Sequence, residues 1–262
     1  MHPTGGSLRV FRQFAWLEVW FRQNGVVASR PPAGNANRSA ASQELRAYFG
    51  TLLNLFIANQ EKPMTTSNFS TATTGWIAIA TGVSAILAVI FLTLMYTVNQ
   101  SFGKVNDVFN SVIGISSVVL AWMLYAEHHA KSPLMSQIAL ALAVVGAIFT
   151  IIGSILIIFG FTDFVLAGWY SGIGYALIGF WLAAFCYALL HGDALPHNLV
   201  IFGVVVGAFM AIGLLGIPGI FAGIDSMESM PWYLYVAFFG WLGTYILYPI
   251  WTIWLGRNLL LK

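Results

Sequence analysis

Four of the five histidines, His128, His129, His191 and His197, stand with Glu127 and Asp193 in two short polar segments that interrupt long apolar stretches. Imidazole and carboxylate groups are the donor set of Zn²⁺ and Fe²⁺ sites. One of His128 or His129, with His191, Asp193 and His197, would supply a tetrahedral site, or three ligands and an activated water with Glu127 as its general base. A plainer chemistry competes with this. Glu127 and Lys131 are spaced i, i+4 in the favourable orientation for a helical ion pair. His128 and His129 project about 100° apart on a helix, so both cannot easily serve one metal. Histidines at a membrane interface also need no ligand to explain them. The sequence therefore favours a chain without a cofactor, with a membrane-embedded Zn²⁺- or Fe²⁺-dependent hydrolase as the alternative.

Other chemistries lack their residues. No Walker motif, dinucleotide glycine fingerprint or HExxH occurs in the chain. The polar groups expected inside apolar segments are mild: Thr81, Ser84, Asn110, Ser116, Ser117, Thr150, Ser154, Ser171, Tyr175, Thr244, Tyr245 and Tyr248. They could line a narrow polar path. The preferred reading is that the Ser and Thr hydroxyls bond to their own helix backbones, as such side chains commonly do in membrane helices.

The elements that would position these groups follow from composition. Of the 262 residues 59% are hydrophobic and 8% charged, whereas a soluble domain carries roughly 25% charged residues to solvate its surface. The chain belongs in a bilayer. Eleven basic against nine acidic residues give no field for nucleic acid, and the single Cys186, set in an apolar run, excludes a disulfide scaffold. A charge at the bilayer centre costs several kcal/mol, so charge-free intervals mark the spans. After Lys62 these intervals run over residues 63–103, 108–126, 132–162, 164–192, 194–224 and 229–256. Each holds one crossing of about 20 residues. The reading predicts helices near residues 75–96, 108–126, 137–159, 164–190, 198–221 and 232–255, an all-α bundle of six spans without an extramembrane domain. Its lipid partner is the bilayer, and small-residue surfaces leave room for a homo-oligomer or membrane complex.

Lys131, Arg257 and Lys262 fall on one side of this topology and Lys104 on the other, which predicts both termini in the cytoplasm. Asp107, Asp163, Asp225 and Glu228 are then expected in the outer loops. Residues 1–63 form a different region: they hold six of the seven arginines, a Pro31-Pro32 pair and a polar stretch from Ala28 to Ser42. Short amphipathic helices are predicted through Val10, Phe14, Leu17 and Phe21 and again through Leu45, Phe49, Leu52 and Phe56. The region from Met64 onward is expected to suffice for six spans, and the native start could lie there.

Small residues at every fourth position, Gly203, Gly207 and Ala211, predict a close helix contact, as do Gly168 and Gly172. Pro249 predicts a kink in the last span. Trp169-Tyr170 and Trp232-Tyr233 read as interfacial aromatic belts. Gly160, Asp163, Trp169-Tyr170, Gly179 and Trp181 echo Gly223, Asp225, Trp232-Tyr233, Gly240 and Trp241 with unequal spacing, which suggests repeated helical hairpins. The functional expectation is a multi-pass protein without enzymatic activity, transporter-like or a membrane subunit or scaffold.

Overall fold

The computed structural model describes residues 70–128, 133–190, 192 and 194–262. The leader over residues 1–63 and the amphipathic helices predicted through Val10, Phe14, Leu17 and Phe21 and through Leu45, Phe49, Leu52 and Phe56 lie outside them. Among the described residues six helices are long and apolar enough to cross a membrane, and there are no strands. They are α1 (Thr71–Thr97), α2 (Phe102–His128), α3 (Pro133–Ile158), α4 (Phe164–Leu189), α5 (His197–Phe221) and α6 (Trp232–Leu260). The chain is therefore an integral membrane protein built as an all-α six-helix bundle. Ser70 starts α1 as its N-cap, its hydroxyl accepting from the Thr73 amide at 3.1 Å.

Each helix packs on its neighbours in sequence, and α6 returns to α1, closing a ring. Helix α4 is the most enclosed, with 61% of its apolar window buried against 33% for α1 and α3. Trp181, Trp251, Tyr175 and Tyr248 fill the interior. Ile86, Ile90, Ile148, Ile152, Val205, Ile246 and Ile250 remain exposed on the flanks, where a bilayer accepts them. Lipid tails are as apolar as these side chains, so exposure does not drive the helices together.

Backbone proximity does that instead. A methyl group on Gly207 would lie 2.5 Å from the Gly179 carbonyl oxygen, and one on Gly174 would lie 2.5 Å from that of Gly146. Gly256 stands equally close to the Gly75 carbonyl across the α6–α1 seam. The Gly203–Gly207 ridge thus faces α4 and α6, as its spacing predicts, with Gly203 against Cys186 and Trp251.

Helices α5 and α6 change pitch. In α5 an α-helix to Ala211 passes through a 3₁₀ segment, Ile212–Gly216, into Ile217–Phe221. Helix α6 opens as 3₁₀ over Trp232–Phe238 and carries a π-helical turn, Gly243–Leu247, directly before Tyr248–Leu260. Pro249 sits in the first turn after that π segment. Proline has no N–H to give the preceding turn, and its ring crowds the carbonyl there. A widened turn accommodates both effects, so the expected kink takes the form of a π segment.

The recurring glycine and acid have a structural meaning. Gly160 and Gly223 adopt φ of 70° and 62°, ending α3 and α5. Phe161 N–H donates to Leu156 O and Gly160 N–H to Ile157 O; Ile224 and Gly223 repeat these bonds to Gly219 and Ile220. Both are Schellman caps, which need the left-handed residue. Asp225 then accepts from the Asp163 and Leu166 amides at 2.9 and 3.1 Å, capping α4 from the α5–α6 loop. The aromatic halves of the echo diverge. Trp232 is 80% exposed, as a belt residue should be, but Trp169 is 2% exposed. It stacks on Phe238 and fills the space left by Gly216 and Gly219, which corrects the belt reading for that residue.

Gly207→Leu is expected to lower the stability of the detergent-solubilised protein by roughly 1–3 kcal/mol or more, because the added side chain meets backbone. Val205→Leu, on the exposed flank of the same helix, should stay within about 0.5 kcal/mol of wild type. Thermal unfolding of both variants measures the difference, and equal melting temperatures would remove the seam argument.

Candidate functional site

Helix α2 starts at Phe102, several residues ahead of the predicted span. That shift carries Asp107 out of the expected outer loop and into the helix, where it is 4% exposed. Asn106, Asp107 and Asn110 fall at i, i+1 and i+4, so the three share one side of α2. All three are buried.

Their hydrogen bonds cross helices. Asn106 Nδ2 donates to Ala88 O of α1 at 2.8 Å. Asn110 Nδ2 donates to Asn106 Oδ1 at 3.0 Å and to Asp107 Oδ1 at 3.2 Å. Asn110 Oδ1 accepts from the Tyr175 hydroxyl of α4 and the Tyr245 hydroxyl of α6, each at 2.9 Å. Further along the bundle Ser117 Oγ and Tyr248 Oη are 2.8 Å apart, joining α2 to α6. Asp107 Oδ2 is buried and has no hydrogen-bond partner.

A tight cleft opens beside this network, lined by Asp107, Asn110, Phe164, Gly168, Ser171, Tyr175, Trp241 and Tyr245. Its aromatic walls meet edge to face: Phe164–Trp241 and Trp241–Tyr245 at 6.3 Å between centroids, Tyr175–Tyr245 at 6.0 Å. Gly168 and Gly172 make room for Trp241, since a methyl on Gly168 would lie 3.3 Å from the indole. The π turn of α6 presents Tyr245 to Asn110. Towards the other end of the bundle Leu120, Leu124, Leu182 and Cys186 are fully buried and close the interior with apolar packing.

The milder polar groups divide as their chemistry suggests. Thr81, Ser116, Thr150, Ser154 and Thr244 bond to carbonyls of their own helices. Asn110, Ser117, Tyr175, Tyr245 and Tyr248 reach across the bundle, and these form the candidate site.

The histidine grouping fares differently. Glu127 and His197 are exposed, at the end of α2 and the start of α5. The side chains of His128, His129, His191 and Asp193 lie outside the described residues. Among the described residues no group of three His, Cys, Asp or Glu is placed to hold a metal ion.

A rule that ends each span at a charge leaves Asp107 outside the helix that contains it. The available signal was the Asn106-Asp107-x-x-Asn110 spacing, three polar residues that one helical turn brings together. No protein family, curated protein or solved structure matches the chain.

Tyr248→Phe strands the buried Ser117 hydroxyl and should cost about 1 kcal/mol. Thr81→Val removes only a bond to the same helix and should cost less than about 0.5 kcal/mol. Reversible unfolding in mixed micelles compares them; an equal cost would make the cross-helix bonds no more important than local ones.

Proposed function

We propose that the chain is a transporter-like membrane protein without enzymatic activity, and that a small solute enters it at the Asp107 cleft. The observation that carries this reading is a carboxyl group inside a membrane bundle with one oxygen unpaired. Ionisable groups in spans are costly and accompany solute or ion pathways. A purely structural subunit or scaffold has no need of one, since the glycine seams already hold the helices.

The polar column from Asp107 through Asn110, Tyr175 and Tyr245 to Ser117 and Tyr248 supports a route, and the apolar packing beyond it supports a closed far side. Passage would require α6 to move, and its π turn is a suitable hinge because such segments exchange hydrogen-bond partners at low cost. The Lys and Arg distribution supports cytoplasmic termini, and with that orientation the cleft would open outward.

Purified protein reconstituted into vesicles tests this by stopped-flow osmotic swelling against alkylammonium chlorides, glycerol and sodium acetate. Wild-type vesicles are expected to swell faster than empty ones with one class of solute, and Asp107→Asn to lose at least about 90% of that increment. No increment with any class would overturn the reading.

A further inference from the structure

The hydrogen-bond directions around Asn110 determine what the cleft can recognise. A carboxylate only accepts, so the Asn110 atom beside Asp107 Oδ1 is the amide nitrogen, and its oxygen faces the tyrosines. The Tyr245 hydroxyl hydrogen therefore points at Asn110 Oδ1, and that of Tyr175 at the same oxygen and the Asn110 backbone carbonyl. Both Asn110 Nδ2 hydrogens are engaged by Asn106 and Asp107. What Asn110, Asp107, Tyr175 and Tyr245 leave over is oxygen lone pairs, on Asp107 Oδ2 and the two tyrosine oxygens, that of Tyr245 also lying within hydrogen-bonding reach of the Asn106 amide.

Acceptors of this kind beside a buried carboxylate call for a cation or an N–H donor. A metal ion such as Na⁺ needs several more oxygens, whereas the rest of the lining adds one side-chain hydroxyl, Ser171, beside Gly168, Phe164, Trp241 and the tyrosine rings. Aromatic faces attract ammonium groups, and a primary ammonium has three N–H donors for three acceptors. The core of the cleft holds at most about one water-sized group, the size of an ammonium head. We infer that the Asp107 cleft binds a small primary ammonium ion, with Asp107 Oδ2 pairing the charge and Tyr175 and Tyr245 accepting the other N–H bonds.

This inference rests on the transport reading only for its consequence, because binding is measurable alone. The probe is methylammonium, titrated into the full-length detergent-purified protein by calorimetry and thermal shift, with tetramethylammonium and Na⁺ as competitors. Saturable binding is expected, weakened at least about 10-fold by Asp107→Asn and roughly 3- to 10-fold by Tyr175→Phe, with little competition from either cation. Tyr175→Phe keeps the test open should Asp107→Asn fail to fold. Binding that neither variant weakens, or that tetramethylammonium displaces equally, would overturn the inference, since tetramethylammonium has charge but no N–H. No binding, alongside Asp107-dependent swelling in glycerol or acetate, would overturn the inference and leave the transport reading standing. Binding without vesicle swelling would support the inference and remove the transport reading.

Discussion

The centre of the bundle is organised by one primary amide. Each polar group left unsatisfied in hydrocarbon costs several kcal/mol. Asn110 answers with all of its hydrogen-bonding capacity, two donors within α2 and an oxygen shared by tyrosines from α4 and α6. Three helices are thus brought into one register by a side chain rather than by a loop. The glycine seams make this reach possible. With Gly146 against Gly174 and Gly179 against Gly207, α4 approaches α3 and α5 at backbone distance, and Tyr175 arrives beside α2.

Satisfying the amide has a cost at its neighbour. Asp107 receives a single hydrogen bond through Oδ1, and Oδ2 is buried without one. A fold optimised for stability alone would place an apolar residue there, since a partly satisfied buried group is worse than none. The π turn in α6 belongs to the same compromise. A regular helix would align Tyr245 differently, and Pro249 would clash with the turn before it. The unpaired carboxylate oxygen and the π turn lie where α2, α4 and α6 meet, as local departures from ideal geometry do at functional centres.

Much of the architecture is legible in the composition because charge is prohibited across a bilayer. The intervals between charges locate all six helices, and the fourfold spacing of Gly203 and Gly207 identifies a seam that backbone distances bear out. The same rule conceals the site. Asp107 is itself a charge, so a boundary drawn at charges excludes it from the helix that contains it. Hydrogen bonding across helices is also invisible in one dimension: nothing in the spacing of Asn110, Tyr175 and Tyr245 announces that they meet. Trp169 escapes for a related reason, as an aromatic beside a loop reads as interfacial until Gly216 and Gly219 open a space for it. The Gly160 and Gly223 echo is readable, and its cause is helix termination by a left-handed cap.

The account depends on Asn110 and Tyr175 acting as one unit across α2 and α4. A double-mutant cycle with Asn110→Ala and Tyr175→Phe, followed by reversible unfolding in mixed micelles, measures that dependence. A coupling of about 0.5–1.5 kcal/mol is predicted, because either substitution alone already removes the bond that the other would remove. Effects that add to within about 0.3 kcal/mol would mean that the amide and the hydroxyl do not meet, and the central hydrogen-bonded junction would be contradicted.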